Sequence, residues 1–155
     1  MRRRWLVAHD FSEIAQLALE RAAEQLAALG PGDLHIMHVH APLMTGFGMD
    51  LGATAAFQDA DRALDSEARA RLDVIAKALA LRFPTLVVSI GVETGHPADL
   101  LIEVARREAV DQIVLGSHGR RGLERFFLGS VAERVLRLAD RTVLIVKTHH
   151  EATAR

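Results

Sequence analysis

The stretch Gln112-Ile113-Val114-Leu115-Gly116-Ser117-His118-Gly119-Arg120-Arg121-Gly122-Leu123-Glu124-Arg125-Phe126-Phe127-Leu128-Gly129-Ser130-Val131 decides the fold. A short apolar run ends in glycine, a polar glycine-rich segment follows, and a helix-like run extends from Val131 to Ala139. Strand, glycine loop and helix start, in that order, make a phosphate-holding device. Glycines let the backbone turn sharply and approach an anion closely. The helix start adds unpaired N–H groups and a partial positive charge. The spacing is Gly-x2-Gly-x9-Gly-Ser, through Gly116, Gly119, Gly129 and Ser130. It is neither GxGxxG nor GxxxxGK[ST].

Upstream, Trp5 to Ala8 reads as a short buried strand, and Asp10 or Ser12 as the cap of the helix that follows. Ile14, Leu17, Ala18, Ala22, Leu26 and Leu29 recur at helical spacing until Gly30-Pro31-Gly32 stops them. Leu34 to Val39 is a second strand. Residues 41–59 carry Pro42, Gly46, Gly48 and Gly52 and are expected to form a loop. Leu64, Ala68, Leu72, Ile75 and Leu79 define a second helix, ended near Phe83-Pro84. Leu86 to Val92 is the third strand. Pro97 suits the first position of a third helix carrying Leu100, Leu101, Val104 and Ala105. Ile113 to Leu115 is the fourth strand, and Thr142 to Val146 the fifth. Strands apolar on both faces that alternate with helices predict a parallel sheet covered on both sides, a three-layer, doubly wound α/β domain.

The chain has 155 residues, half of them apolar and a quarter charged. That fits one domain, expected over residues 1–148 with a frayed tail at 149–155. The net charge of −1 lends nothing to a nucleic-acid or membrane footprint, so neither partner is expected. The absence of cysteine excludes disulfides, thiolate catalysis and zinc–thiolate sites. The apolar run after Arg2-Arg3-Arg4 is four residues, too short for a secretory core. No window approaches the ~20 apolar residues of a membrane span. A cytoplasmic protein is expected.

In open α/β sheets, ligands bind beyond the carboxyl ends of the strands where the strand order reverses. An assumed order of 3-2-1-4-5 puts that point between the first and fourth strands. Ala8-His9-Asp10 and the glycine loop then share one crevice. Each candidate also has a plainer reading. Gly116 and Gly119 suit an ordinary strand-to-helix turn, and Gly129-Ser130 an ordinary helix start. Asp10 suits a helix cap as well as a hydrogen bond to a ribose hydroxyl or a metal-bound water. His118 could touch phosphate or sugar, or merely follow the turn. Arg120, Arg121 and Arg125 could screen a polyphosphate or simply be solvated. Phe126 and Phe127 read as anchors for the loop. His35-x-x-His38-x-His40 invites a metal, but alternation along a strand puts His35 on the opposite face from His38 and His40. Three ligands cannot converge, so no metal site is expected.

These residues resemble the universal stress protein family, from about Trp5 to Lys147. Its ATP-binding members carry Gly-x2-Gly-x9-Gly-(Ser/Thr) after the fourth strand, here complete. Val7-Ala8-His9-Asp10-Phe11-Ser12 is similar to the family's first strand and aspartate. His38-Val39 is similar to the end of its second strand, and Gly95-His96-Pro97 to the turn before its third helix. The resemblance implies a Rossmann-like, adenine nucleotide alpha hydrolase-like fold of strand order 3-2-1-4-5. It also implies a stress-response role with ATP, and magnesium with it, in the crevice. Ala8, Asp10 and Val39 would hold adenine and ribose. Gly116, His118, Gly119, Gly129, Ser130 and Val131 would hold ribose and phosphates. Family members pair through their last strands, which makes Thr142 to Lys147 the expected homodimer edge. The chain departs from the family at His9, bulkier than the usual residue there, and at Thr142, where proline is common.

An ATP-hydrolysing enzyme and a nucleotide-independent interaction module are the alternatives. Phosphoryl transfer needs a fixed metal and a positioned water or acceptor. No evident arginine finger or paired metal carboxylates accompany Asp10 and His118, so hydrolysis is expected to be slow or absent. The intact glycines count against the module.

Overall fold

The structure is a computed structural model that describes residues 2–43, 51–118 and 128–147, with 51–55 as backbone only. Its elements run β1 (Arg3–Ala8), α1 (Glu13–Ala28), β2 (Gly32–His40), α2 (Leu51–Arg82), β3 (Leu86–Thr94), α3 (Pro97–Arg107), β4 (Gln112–Gly116), α4 (Ser130–Leu138) and β5 (Thr142–Val146). The strands form one sheet in the order β3-β2-β1-β4-β5, and every pairing is parallel. This is the expected three-layer α/β architecture and strand order.

Alternation along the strands divides the apolar residues between two cores. Trp5, Val7, Leu34, Ile36 and Val114 meet Ala18, Leu19, Ala22 and Leu26 of α1 and Ala68, Leu72 and Leu79 of α2. Leu6, Met37, Ile113 and Leu115 meet Leu101, Val104 and Ala105 of α3 and Val135 of α4. Leu6, Leu34, Ile36 and Ile113 are fully buried. Each contributes roughly 1.5–3 kcal/mol of transfer free energy.

Several boundaries differ from the sequence expectation. Residues 51–59 belong to α2, not to a loop; of the expected 41–59 loop, 44–50 lie outside the described residues. The run Ala53-Thr54-Ala55-Ala56 has high helix propensity, and Gly52 stands in the first turn, where glycine costs little. β1 starts at Arg3, two residues before its apolar run, because Arg3 and Arg4 pair in register with Gly32 and Asp33. β2 and β3 reach His40 and Thr94, which pair with each other. Backbone ladders extend strands past the point where hydrophobicity marks them. Ser12 caps α1, with its side chain accepting the Ala15 N–H at 3.2 Å, so Asp10 is not the cap. Among the described residues, no helix is long and apolar enough to cross a membrane.

Candidate functional site

The sheet order reverses between the parallel neighbours β1 and β4. A cavity of about 630 Å³ opens at this point. It falls within the ~300–1,000 Å³ of small-molecule sites. Its walls come from Ala8, His9 and Asp10 after β1, Met37 to His40 at the end of β2, and Leu115, Gly116 and His118 after β4. Gly129 to Ala132 at the start of α4, Pro97 and Leu101 of α3, and Ala15 of α1 complete it. Ala8, Asp10, Val39, Gly116, His118, Gly129, Ser130 and Val131 therefore all border one space. Gly119 lies outside the described residues, as do Arg120, Arg121, Arg125, Phe126 and Phe127.

One wall is the β1–α1 turn. Asp10 Oδ1 accepts the Ser12 backbone N–H at 3.0 Å and the Ser12 hydroxyl. Phe11 between them has φ 64°, a left-handed conformation that costs a residue with a Cβ roughly 1–2 kcal/mol. Three neighbours hold it there. The Arg71 guanidinium of α2 lies 3.8 Å from the Phe11 ring centroid. The His38 ring is tilted against it at 4.7 Å, and the His9 ring meets it edge-on at 5.2 Å. His38 Nδ1 in turn donates to the His9 carbonyl at 2.8 Å.

The opposite wall joins β4 to α4. Gly116 is required by close approach: a Cβ there would stand 2.9 and 3.0 Å from two carbons of Ile14. Ser117 and Gly129 are tied by one backbone hydrogen bond, Gly129 N–H to Ser117 O at 2.7 Å. Ser117 Oγ is 3.0 Å from His118 Nδ1. Gly129 is the N-cap of α4 and supplies no side-chain hydrogen bond. The first intrahelical bond is Glu133 N–H to Gly129 O at 2.9 Å. The N–H groups of Ser130, Val131 and Ala132 precede it at the positive end of the helix dipole, beside the cavity.

α3 also starts at this cavity, but it opens with Pro97, which has no N–H, and has Asp99 in its first turn. Arg134 of α4 engages both Asp99 oxygens, at 2.9 and 3.2 Å. Of the three helix starts around the space, α1 is capped by Ser12, whereas α3 has no side-chain cap and begins with a proline and an acidic first turn. Among the described residues, α4 presents three uncapped N–H groups with no carboxylate of its own beside them at the cavity, whereas Asp99 makes the start of α3 less hospitable to an anion.

Histidine is the feature that site-picking from sequence missed. His9, His38 and His40 all line the cavity beside His118. His38 and His40 end a parallel strand that borders the reversal point, and that position was the available signal. His40 Nε2 lies 2.7 Å from Asp65 Oδ1, which ties the end of β2 to α2. His35 instead bonds Ser89 Oγ at 2.8 Å, and burial lowers its pKa. Among the described residues, no group of three or more His, Cys, Asp or Glu could hold a metal ion.

With the site described, comparison with known proteins is specific. The universal stress protein family profile matches residues 1–147. The chain is 28% identical over 151 residues to universal stress protein MJ0577 of Methanocaldococcus jannaschii, covering 89% of this chain and 90% of that one. It is 33% identical over 143 residues to universal stress protein A homolog 2 of Coxiella burnetii, covering 92% of each. The solved structure of MJ0577 superposes with a TM-score of 0.83 at 27% identity, covering 97% of this chain and 99% of that chain. The fold is shared with a universal stress protein solved in complex with cAMP (TM-score 0.62, 24% identity, 96% and 98% covered). It is also shared with one from Arabidopsis thaliana with AMP bound (TM-score 0.62, 16% identity, 98% and 95% covered).

Proposed function

The chain belongs to the universal stress protein family, and from that premise we propose that it is a cytoplasmic regulatory protein that holds ATP, with magnesium, in the cavity between β1 and β4. The observation that carries this reading is the start of α4: three N–H groups with no capping side chain among the described residues, at a cavity beside the sheet's reversal point. Phosphate satisfies such groups and complements the helix dipole. Ala8, Asp10 and Val39 take adenine and ribose. Gly116, His118, Gly119, Gly129, Ser130 and Val131 take ribose and phosphates. The bound AMP and cAMP of the two neighbours that share this fold support an adenine nucleotide as the ligand class.

Nucleotide would favour one arrangement of the segment between Gly116 and Gly129, and a partner that distinguishes the arrangements would read it. Asp10 is the one carboxylate among the described residues that line the cavity. A metal-assisted phosphoryl transfer wants more than that, so turnover should stay below about 1 per second. The edge strand β5 carries Val143 to Val146 and is the surface through which two copies would pair. Calorimetry with ATP, AMP and cAMP, each with and without magnesium, tests the reading, together with identification of any copurifying small molecule. Binding by ATP at micromolar to millimolar concentration is expected, and no binding by any of the three defeats the proposal.

A further inference from the structure

His9 does not belong to the nucleotide-holding set, yet it borders two spaces. It lines the cavity described above, and it also lines an open groove between α1 and α2 with Gln16, Glu20 and Arg71. Its side chain is nevertheless buried, and the residue is only 4% exposed. Both ring nitrogens are used. Nε2 faces Gln16 Oε1 at 3.3 Å, and Nδ1 accepts the Phe11 backbone N–H at 3.3 Å. The Gln16 amide nitrogen donates to Glu20 Oε1 at 3.1 Å, which turns the amide oxygen toward His9. That orientation places the ring proton on Nε2 and leaves the Nδ1 lone pair for Phe11. The recipient is the residue held at φ 64°, next to Asp10.

We infer that His9 is a positioning residue for the nucleotide site, holding the strained turn that presents Asp10 only while its ring is neutral; this rests on the nucleotide reading above. A second ring proton would sit on Nδ1 and point at the Phe11 N–H, so an acceptor becomes a donor facing a donor. The groups around the ring set the balance. Burial lowers its pKa most. Gln16 of α1 and Asp10 of the turn oppose that, whereas His38 of β2 and Arg71 of α2 add to it. Glu20 acts from behind Gln16. The neutral ring is therefore the resting form at pH 7, and protonation, shifted by burial to a pH below the ordinary histidine range, loosens the turn.

The test compares wild type with His9→Asn and His9→Leu. Asparagine can return an oxygen acceptor near the position of Nδ1 and does not titrate, whereas leucine offers no acceptor. At pH 7.5, His9→Asn should bind ATP within about twofold of wild type and His9→Leu about fivefold more weakly, the worth of one net hydrogen bond. Between pH 7.5 and 5.5 the wild type should lose affinity that His9→Asn keeps, by less than about tenfold because the ring protonates below pH 6.5. Titration of the phosphates and of the other histidines is common to both proteins and cancels. A nucleotide-free readout accompanies it: the Asp10, Phe11 and Ser12 amide resonances should follow the His9 ring titration in wild type and not in His9→Asn. Amides that stay still while the His9 ring titrates overturn the inference, as does an identical pH dependence in the two proteins. If ATP binds neither at any pH, the nucleotide reading fails while the amide titration still decides what His9 does. If His9→Asn does not fold, the wild-type amide titration decides alone.

Discussion

The two walls of the cavity use the same element, a helix that starts at the end of a strand, in opposite ways. At α1 the sequence supplies its own cap. Ser12 satisfies the helix start, Asp10 grips Ser12, and Phe11 is held in a left-handed conformation between them. At α4 the cap position is Gly129, and among the described residues no capping side chain satisfies the N–H groups that follow. One wall is capped by its own side chain, and in the proposed function the other is completed by a ligand. A site that must hold an anion reversibly needs both kinds: a preset surface for orientation and an unsatisfied one for affinity.

The largest effect should come from making the two walls alike. Gly129→Asp puts a carboxylate at the α4 cap, where it would claim the free N–H groups and repel phosphate. ATP affinity should drop about thirtyfold, near 2 kcal/mol. Stability should stay level or rise by a few tenths of a kcal/mol. Calorimetry and thermal melting read the two quantities separately, and unchanged affinity would remove α4 from the phosphate site. Gly116→Ala adds a Cβ against the Ile14 side chain of α1. Overpacking there should cost about 1.5 kcal/mol. At about 2–4 °C per kcal/mol for a chain of this length, the melting temperature should fall several degrees.

Ser12→Ala uncaps the first wall. It should cost about 1 kcal/mol of stability, seen as a lower urea midpoint, and should weaken ATP far less than Gly129→Asp does. An equal loss of affinity from both variants would mean that the walls do not divide the work as proposed. The smallest effect is a pH slope. Burial lowers the folded-state pKa of His9 and His35 below 6.5. The unfolded chain therefore binds more protons below that pH, and stability present above 6.5 is lost as pH falls toward the folded values. Urea titrations at pH 7.5 and 5.5 should show this loss. His9→Asn should remove one share of it and leave the share of His35, which lies outside the cavity.

Much of this was legible along the chain. The apolar runs around Val7, Ile36, Val88, Val114 and Ile145 announced five strands, and Gly-x2-Gly-x9-Gly-Ser marked the strand-to-helix segment whose described ends border the cavity. Eight of the nine residues picked for the site border one cavity, and the ninth, Gly119, lies outside the described residues. The misreadings have local causes. Glycines and a proline hid the helical start of α2, because Gly52 near a helix end costs little. Arg3, Arg4, His40 and Thr94 hid the strand ends, because ladder hydrogen bonds do not depend on side-chain polarity.

What the sequence determined by itself rests on short-range physics: the period of apolar residues, the turn chemistry and the glycine spacing act within about a dozen positions. What only the tertiary structure decided rests on encounters between distant segments. Arg71 reaches Phe11 from a helix 60 positions away, His38 bonds the carbonyl of His9, and burial lowers the pKa of the His9 ring. Desolvation depends on everything packed around a group, so the role of His9 cannot be read from its neighbours in the chain. Which helix starts border the cavity is likewise settled only once Pro97 and Gly129 are brought to the same space.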